Sequence, residues 1–141
     1  METETRIGVR NRNVDRLLFA GQGVILVTFF IFALLYEKAF ALFLFMLAGV
    51  GFECFRMSKR NYVTYRDSYF IVRSLFKERA RIRADQFEGV LSPRYSIIPF
   101  SNELIISFKN GRNFKIMAGM SQRETEKLIN DLIKDSRHPT N

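Results

Sequence analysis

Two patterns divide this chain. Residues 17–36 are apolar on every helical face: 20 residues without a charge, with Gln22 as the one strongly polar side chain. A helix of that length crosses a hydrocarbon core of about 30 Å at about 1.5 Å per residue. Glu37 and Lys38 interrupt the run, and a second apolar segment follows over residues 39–55, uncharged as far as residue 52. Directly after a full span, this shorter segment reads as the returning leg of a hairpin, with its ends supported by snorkelling side chains. A cleaved leader would use Ala39-Phe40-Ala41, but the sequence stays apolar beyond it where a mature chain turns polar. A soluble helical pair would need an amphipathic stripe, which neither segment has.

Folding the hairpin at its midpoint, between Glu37 and Lys38, sets Gln22 and Glu53 equally far from the turn. It also brings Gly21 and Gly23 to the depth of Gly49 and Gly51. Small residues let antiparallel helices approach, and polar pairs bond across them in lipid. An interhelical Gln22–Glu53 contact is therefore one expectation. Its competitor is a Glu53–Arg56 pair one turn on.

From residue 61 the pattern becomes short and mixed. Residues 62–65 and 69–74 are β-branched and aromatic around Arg66-Asp67-Ser68, which predicts two strands and a polar turn. Residues 79–83 alternate charge with Ala80 and Ile82, a strand with one wet face. Residues 85–99 read as irregular, broken by Pro93 and Pro99. Residues 103–108 predict a strand with Leu104, Ile106 and Phe108 on one face. Residues 113–117 pair back through Lys109-Asn110-Gly111-Arg112, where Asn-Gly suits a type I′ turn. Ser121-Gln122-Arg123-Glu124 has the form of a capping box. It opens a helix whose Leu128, Ile129, Leu132 and Ile133 form an apolar stripe that packs on the preceding sheet. Residues 136–141 read as a loose tail.

The domain order is thus a basic segment over residues 1–16, a transmembrane hairpin over 17–55, an α+β and mainly antiparallel β domain over 61–135, and the tail. At this level the chain resembles the small bacterial pleckstrin-homology-like domains that follow a two-helix membrane anchor. The residues that carry the likeness are Tyr62-Val63-Thr64-Tyr65, Tyr69-Phe70-Ile71-Val72, the spaced trio Ile82, Phe87 and Val90, the strand of residues 101–108 with its hairpin, and Ser121 leading a closing helix. The likeness spans roughly residues 60–135. Ile116-Met117-Ala118-Gly119-Met120 stands where the family often has an Ile-Ser-Pro-like step. The resemblance implies a curled antiparallel sheet or open barrel capped by one helix. It implies no enzyme activity and no generally established ligand.

Composition adds location and narrows the chemistry. The 141 residues carry 22 basic and 14 acidic side chains, a net charge of +8. Arg6, Arg10, Arg12 and Arg16 precede the first leg, and Arg56, Lys59 and Arg60 follow the second. Basic flanks favour the cytoplasmic face, so both termini are expected in the cytoplasm; the resemblance implies a bacterial cell, with the hairpin in its inner membrane. A single Cys excludes a disulfide framework and multi-Cys metal centres, and a single His near the C-terminus argues against His-based catalysis. Cys54 has no His nearby in sequence, Asp85 and Glu88 read as solvated carboxylates, and the glycines form no phosphate loop. No enzyme activity and no cofactor are expected.

What remains is a basic cluster: Arg73, Lys77, Arg79, Arg81 and Arg83, with Glu78 as the only acid among them. Beside a bilayer each basic residue gains about 1 kcal/mol from the anionic leaflet. Interspersed acids and the lack of a known motif argue against nucleic acid. The expectation is a non-enzymatic inner-membrane protein. Its tethered domain engages a protein partner or anionic lipid headgroups through that cluster. The alternative is an accessory subunit of a larger membrane complex, with the transmembrane hairpin as the interface.

Overall fold

The computed structural model describes residues 4–93 and 103–137. The chain divides into two units: residues 11–60, and the residues on either side of them.

The first unit is a pair of antiparallel helices, α1 (Arg12–Leu35) and α2 (Ala39–Lys59). Both are long and apolar enough to cross a membrane. Their 24 and 21 residues correspond to about 36 and 31 Å. Asn11 caps α1, its side-chain oxygen accepting the backbone N–H of Asn13 at 3.0 Å. The chain reverses at residues 36–38, where the backbone N–H of Ala39 donates to Tyr36 at 2.9 Å. Phe30 and Phe43 pack across the pair with ring centroids 5.5 Å apart. Helix therefore extends into charged sequence beyond both apolar runs, from residue 12 rather than 17 and to 59 rather than 55. Asp15 near the start of α1 lies 3.6 Å from Arg60 just after α2.

Among its described residues the second unit holds seven strands and one α-helix. They are β1 (Thr5–Ile7), β2 (Tyr62–Arg66), β3 (Tyr69–Arg73), β4 (Glu78–Arg83), β5 (Phe87–Leu91), β6 (Glu103–Phe108), β7 (Asn113–Met117) and α3 (Gln122–Arg137). Two antiparallel sheets run β1-β2-β3-β4 and β5-β6-β7. They meet at a seam where the backbone N–H of Val9 donates to Met117 at 3.2 Å. Gly8 makes this approach possible. Its φ is +109°, and a Cβ there would sit 2.8 Å from the Met117 carbonyl oxygen.

Alternation builds the core. Val63 and Tyr65 of β2, Phe70 and Val72 of β3, and Ala80 and Ile82 of β4 point inward from one sheet. Leu104, Ile106 and Phe108 of β6 and Ile116 of β7 answer from the other. Phe70 joins the sheets, its ring 5.5 Å from Phe108 and 5.8 Å from Phe87. The capping box forms: the Ser121 N–H donates to the Glu124 carboxylate at 3.0 Å, and the Glu124 N–H donates to the Ser121 hydroxyl at 3.3 Å. Ile129 of α3 is fully buried against this core, with Leu132 and Ile133 beside it.

Several sequence expectations change. Residues 5–7 are a strand, paired Thr5 to Tyr65 and Ile7 to Val63, rather than part of a leading segment. Residues 87–91 are a strand rather than irregular. A register shift between Phe87 and Gly89, and an exposed Glu88, hide its alternation. The type I′ signature falls on the other hairpin, where Asp67 and Ser68 both have positive φ, +53° and +62°. At the β6–β7 loop only Gly111 is positive, and its N–H donates to Phe108 at 2.9 Å. That is a tight turn followed by one left-handed residue. α3 also takes in Ser136 and Arg137, so the helix runs two residues past the expected end of the domain. Pro99 and His138 lie outside the described residues.

Candidate functional site

The basic cluster predicted from sequence maps onto the β3–β4 hairpin, and the structure distributes it. Inward Ala80 and Ile82 force Arg79, Arg81 and Arg83 onto the opposite face of β4, where all three are exposed. At about 3.3 Å per residue they span about 13 Å along the edge of the sheet. Each arginine has a neighbour. Arg79 donates to the Asn61 side chain at 2.8 Å. Arg81 lies 3.5 Å from Glu78, and Arg83 lies 3.4 Å from Asp85. Arg73, on β3, is drawn toward the first strand, where it bonds Glu4, which also accepts the Thr64 hydroxyl at 2.6 Å. The Thr64 bond, with Arg73 beside it, holds the Glu4 carboxyl below its ordinary pKa.

Lys77 closes the turn. Its carbonyl accepts the Ser74 N–H at 2.7 Å, and its own N–H donates to the Ser74 hydroxyl at 3.3 Å. Between them Leu75 is fully buried while Phe76 is 60% exposed, the most outward aromatic among the described residues of the β unit. Sequence reasoning counted the charges here and passed over Phe76.

Register places this turn. Tyr62 pairs with Arg73, and Val63 pairs with Ile7. The Ser74–Lys77 turn therefore lies at the end of the sheet where the chain leaves β1 for α1 and re-enters β2 from α2. Both of those chain links are tied to β7: Val9 through Met117, and Asn61 through the Lys115 carbonyl, which accepts its side-chain amide at 3.0 Å.

A cavity of about 360 Å³ lies at the other end of the β unit. Asp85, Lys109, Lys134 and Arg137 line it, with Phe87 and Ile133 as apolar wall. The three cations are scattered along the sequence, so no run of charge announced them. Asp85 and Glu88 do not converge on common chemistry: Asp85 turns to Arg83, and Glu88 accepts the Ser107 hydroxyl at 2.8 Å.

The helical unit corrects two expectations. Gln22 and Glu53 do not bond each other. Gln22 accepts the Cys54 thiol at 3.1 Å, whereas Glu53 lies 3.1 Å from Arg56 and 3.4 Å from Arg60. Equal depth from the turn does not fix azimuth, and residue 54 lies about 100° further round its helix. A carboxylate near the helix end meets cations in preference to an amide. The glycines do not serve the contact between the legs either. Among the described residues, nothing lies within 4 Å of a Cβ built at Gly21, Gly23, Gly49 or Gly51.

No family model, curated protein or solved structure matches this chain.

Proposed function

We propose that the chain is an integral membrane protein. Its α1–α2 hairpin anchors a pleckstrin-homology-like domain on the cytoplasmic side of a bacterial inner membrane, and the domain binds anionic headgroups rather than catalysing a reaction. Sheets of four and three antiparallel strands with one closing helix support the domain reading. Basic residues at both outer ends of the helical pair support the orientation.

The observation that carries the docking reading is the register. It sets exposed Phe76, with Lys77 and Arg79 beside it, at the end of the sheet that bears the links to the membrane helices. An apolar tip flanked by cations inserts its ring at the acyl boundary while its charges meet headgroups. Arg83, at the opposite end of β4, takes no part in this contact.

The chain has no Trp, so Phe76→Trp creates a single reporter. In nanodiscs containing anionic lipid, emission from the full-length variant should shift to the blue and be quenched by brominated acyl chains. Both effects should fade in neutral lipid, at high salt, and when Lys77→Gln and Arg79→Gln are added. Emission that is the same in neutral and anionic bilayers would refute docking.

A second reading is favoured by one observation, the open Cβ positions at the four glycines. They leave helix surface on which partner helices can pack closely, as an accessory subunit of a larger complex requires. Under that reading Gly49→Leu dissociates the complex on a native gel, and Lys77→Gln leaves it intact.

A further inference from the structure

The cavity beside the last turns of α3 has no part in headgroup docking. Three elements build it. Asp85 comes from the turn after β4, Lys109 from the β6–β7 loop, and Lys134 and Arg137 from one face of α3. The loop is fixed by the Lys109 N–H donating to Gln86 at 2.8 Å, and the end of α3 by a 2.7 Å bond between the Tyr65 and Ser136 hydroxyls.

The charges do not cancel. Asp85 is engaged by Arg83. Among the described residues, no carboxylate lies within ion-pair distance of Lys109, Lys134 or Arg137. Three cations around one hollow repel one another until an anion enters. Phe87 and Ile133 add a surface suited to an apolar group. The hollow is large enough for a small molecule.

We propose that this cavity binds a dissolved small organic phosphate, its phosphoryl group held by Lys109, Lys134 and Arg137 and its organic part against Phe87 and Ile133. Its position favours a dissolved ligand over a lipid. The Ala84 N–H beside the cavity donates to Ser68 at 2.9 Å, and Ser68 is the β2–β3 turn, the end of the sheet away from the chain links.

The test uses the full-length chain in detergent, titrated calorimetrically with inorganic phosphate and with phenyl phosphate. Phenyl phosphate should bind more tightly than inorganic phosphate. Lys109→Gln and Lys134→Gln, both at exposed positions, should each weaken it about tenfold. Failure of either probe to saturate below about 10 mM, or binding unchanged in both variants, would overturn the proposal. A parallel arm adds vesicles of neutral lipid, or of neutral lipid with phosphatidylglycerol, to the chain held in neutral nanodiscs. Capture by the anionic vesicles that is lost in both variants would identify the ligand as a lipid and overturn the dissolved-ligand reading. No capture, together with phosphate binding, would uphold it.

Discussion

Glu4 shows how much a single side chain can organise. It reaches across from the β1 end to Thr64 and Arg73, so one carboxylate links the first three strands on one face of their sheet. Those bonds favour the charged form and hold its pKa below the ordinary 4.5. A depressed carboxylate stabilises the fold at pH above its unfolded value and loses that contribution as pH falls through its folded value. The thermal midpoint of the full-length chain should therefore fall more steeply below about pH 4.5 than that of Glu4→Gln. Parallel curves in a pH series would disprove the link. At this scale the sequence was partly legible. The capping box at Ser121 and Glu124 could be read because both partners lie within one turn of a helix. The left-handed pair could not, because Asp67-Ser68 is a weaker signal for positive φ than Asn110-Gly111. The structure nevertheless puts the two-residue turn between β2 and β3, where Arg66 and Tyr69 close the ladder around it.

Among the elements, the two strands of the β6–β7 hairpin were legible, bounds included, since one buried face imposes alternation on each, whereas the type of turn between them was not. β5 was obscured by its bulge and by Glu88. β1 was illegible for a different reason: three residues carry no periodicity, and their partner lies beyond both helices. Its importance rests on Ile7, which is 2% exposed. Ile7→Ala should cost about 2–5 kcal/mol of stability. Arg6→Ala, on the opposite face, should change it by no more than about 0.5 kcal/mol. Chemical denaturation of the two variants in detergent decides this, and equal effects would mean that β1 is not held by its inward side chain. The cationic cavity escaped sequence reading on the same principle. Lys109 and Lys134 meet only because a loop and a helix end are brought together by the sheets between them.

At the scale of the whole molecule, the helical pair is inserted between two adjacent strands of one sheet. Because β1 and β2 are partners, both ends of the pair must stand on the same side of any membrane it enters. In a Cys54→Ser background, a cysteine introduced at Lys38 should react with an impermeant maleimide from the face opposite to one introduced at Arg123. Labelling of both from one face would disprove a spanning hairpin. The same arrangement bears on how the chain is made. β1 leaves the ribosome first, yet its partner is translated only after both helices. A chain that inserts a single helix strands β1 across the bilayer and leaves the edge of β2 unpaired. Such open edges recruit other strands and mark a chain for aggregation or removal. On the membrane reading proposed above, completion of the sheet thus reports on the topology of the helices, because only a chain that inserts both of them can bring β1 beside β2.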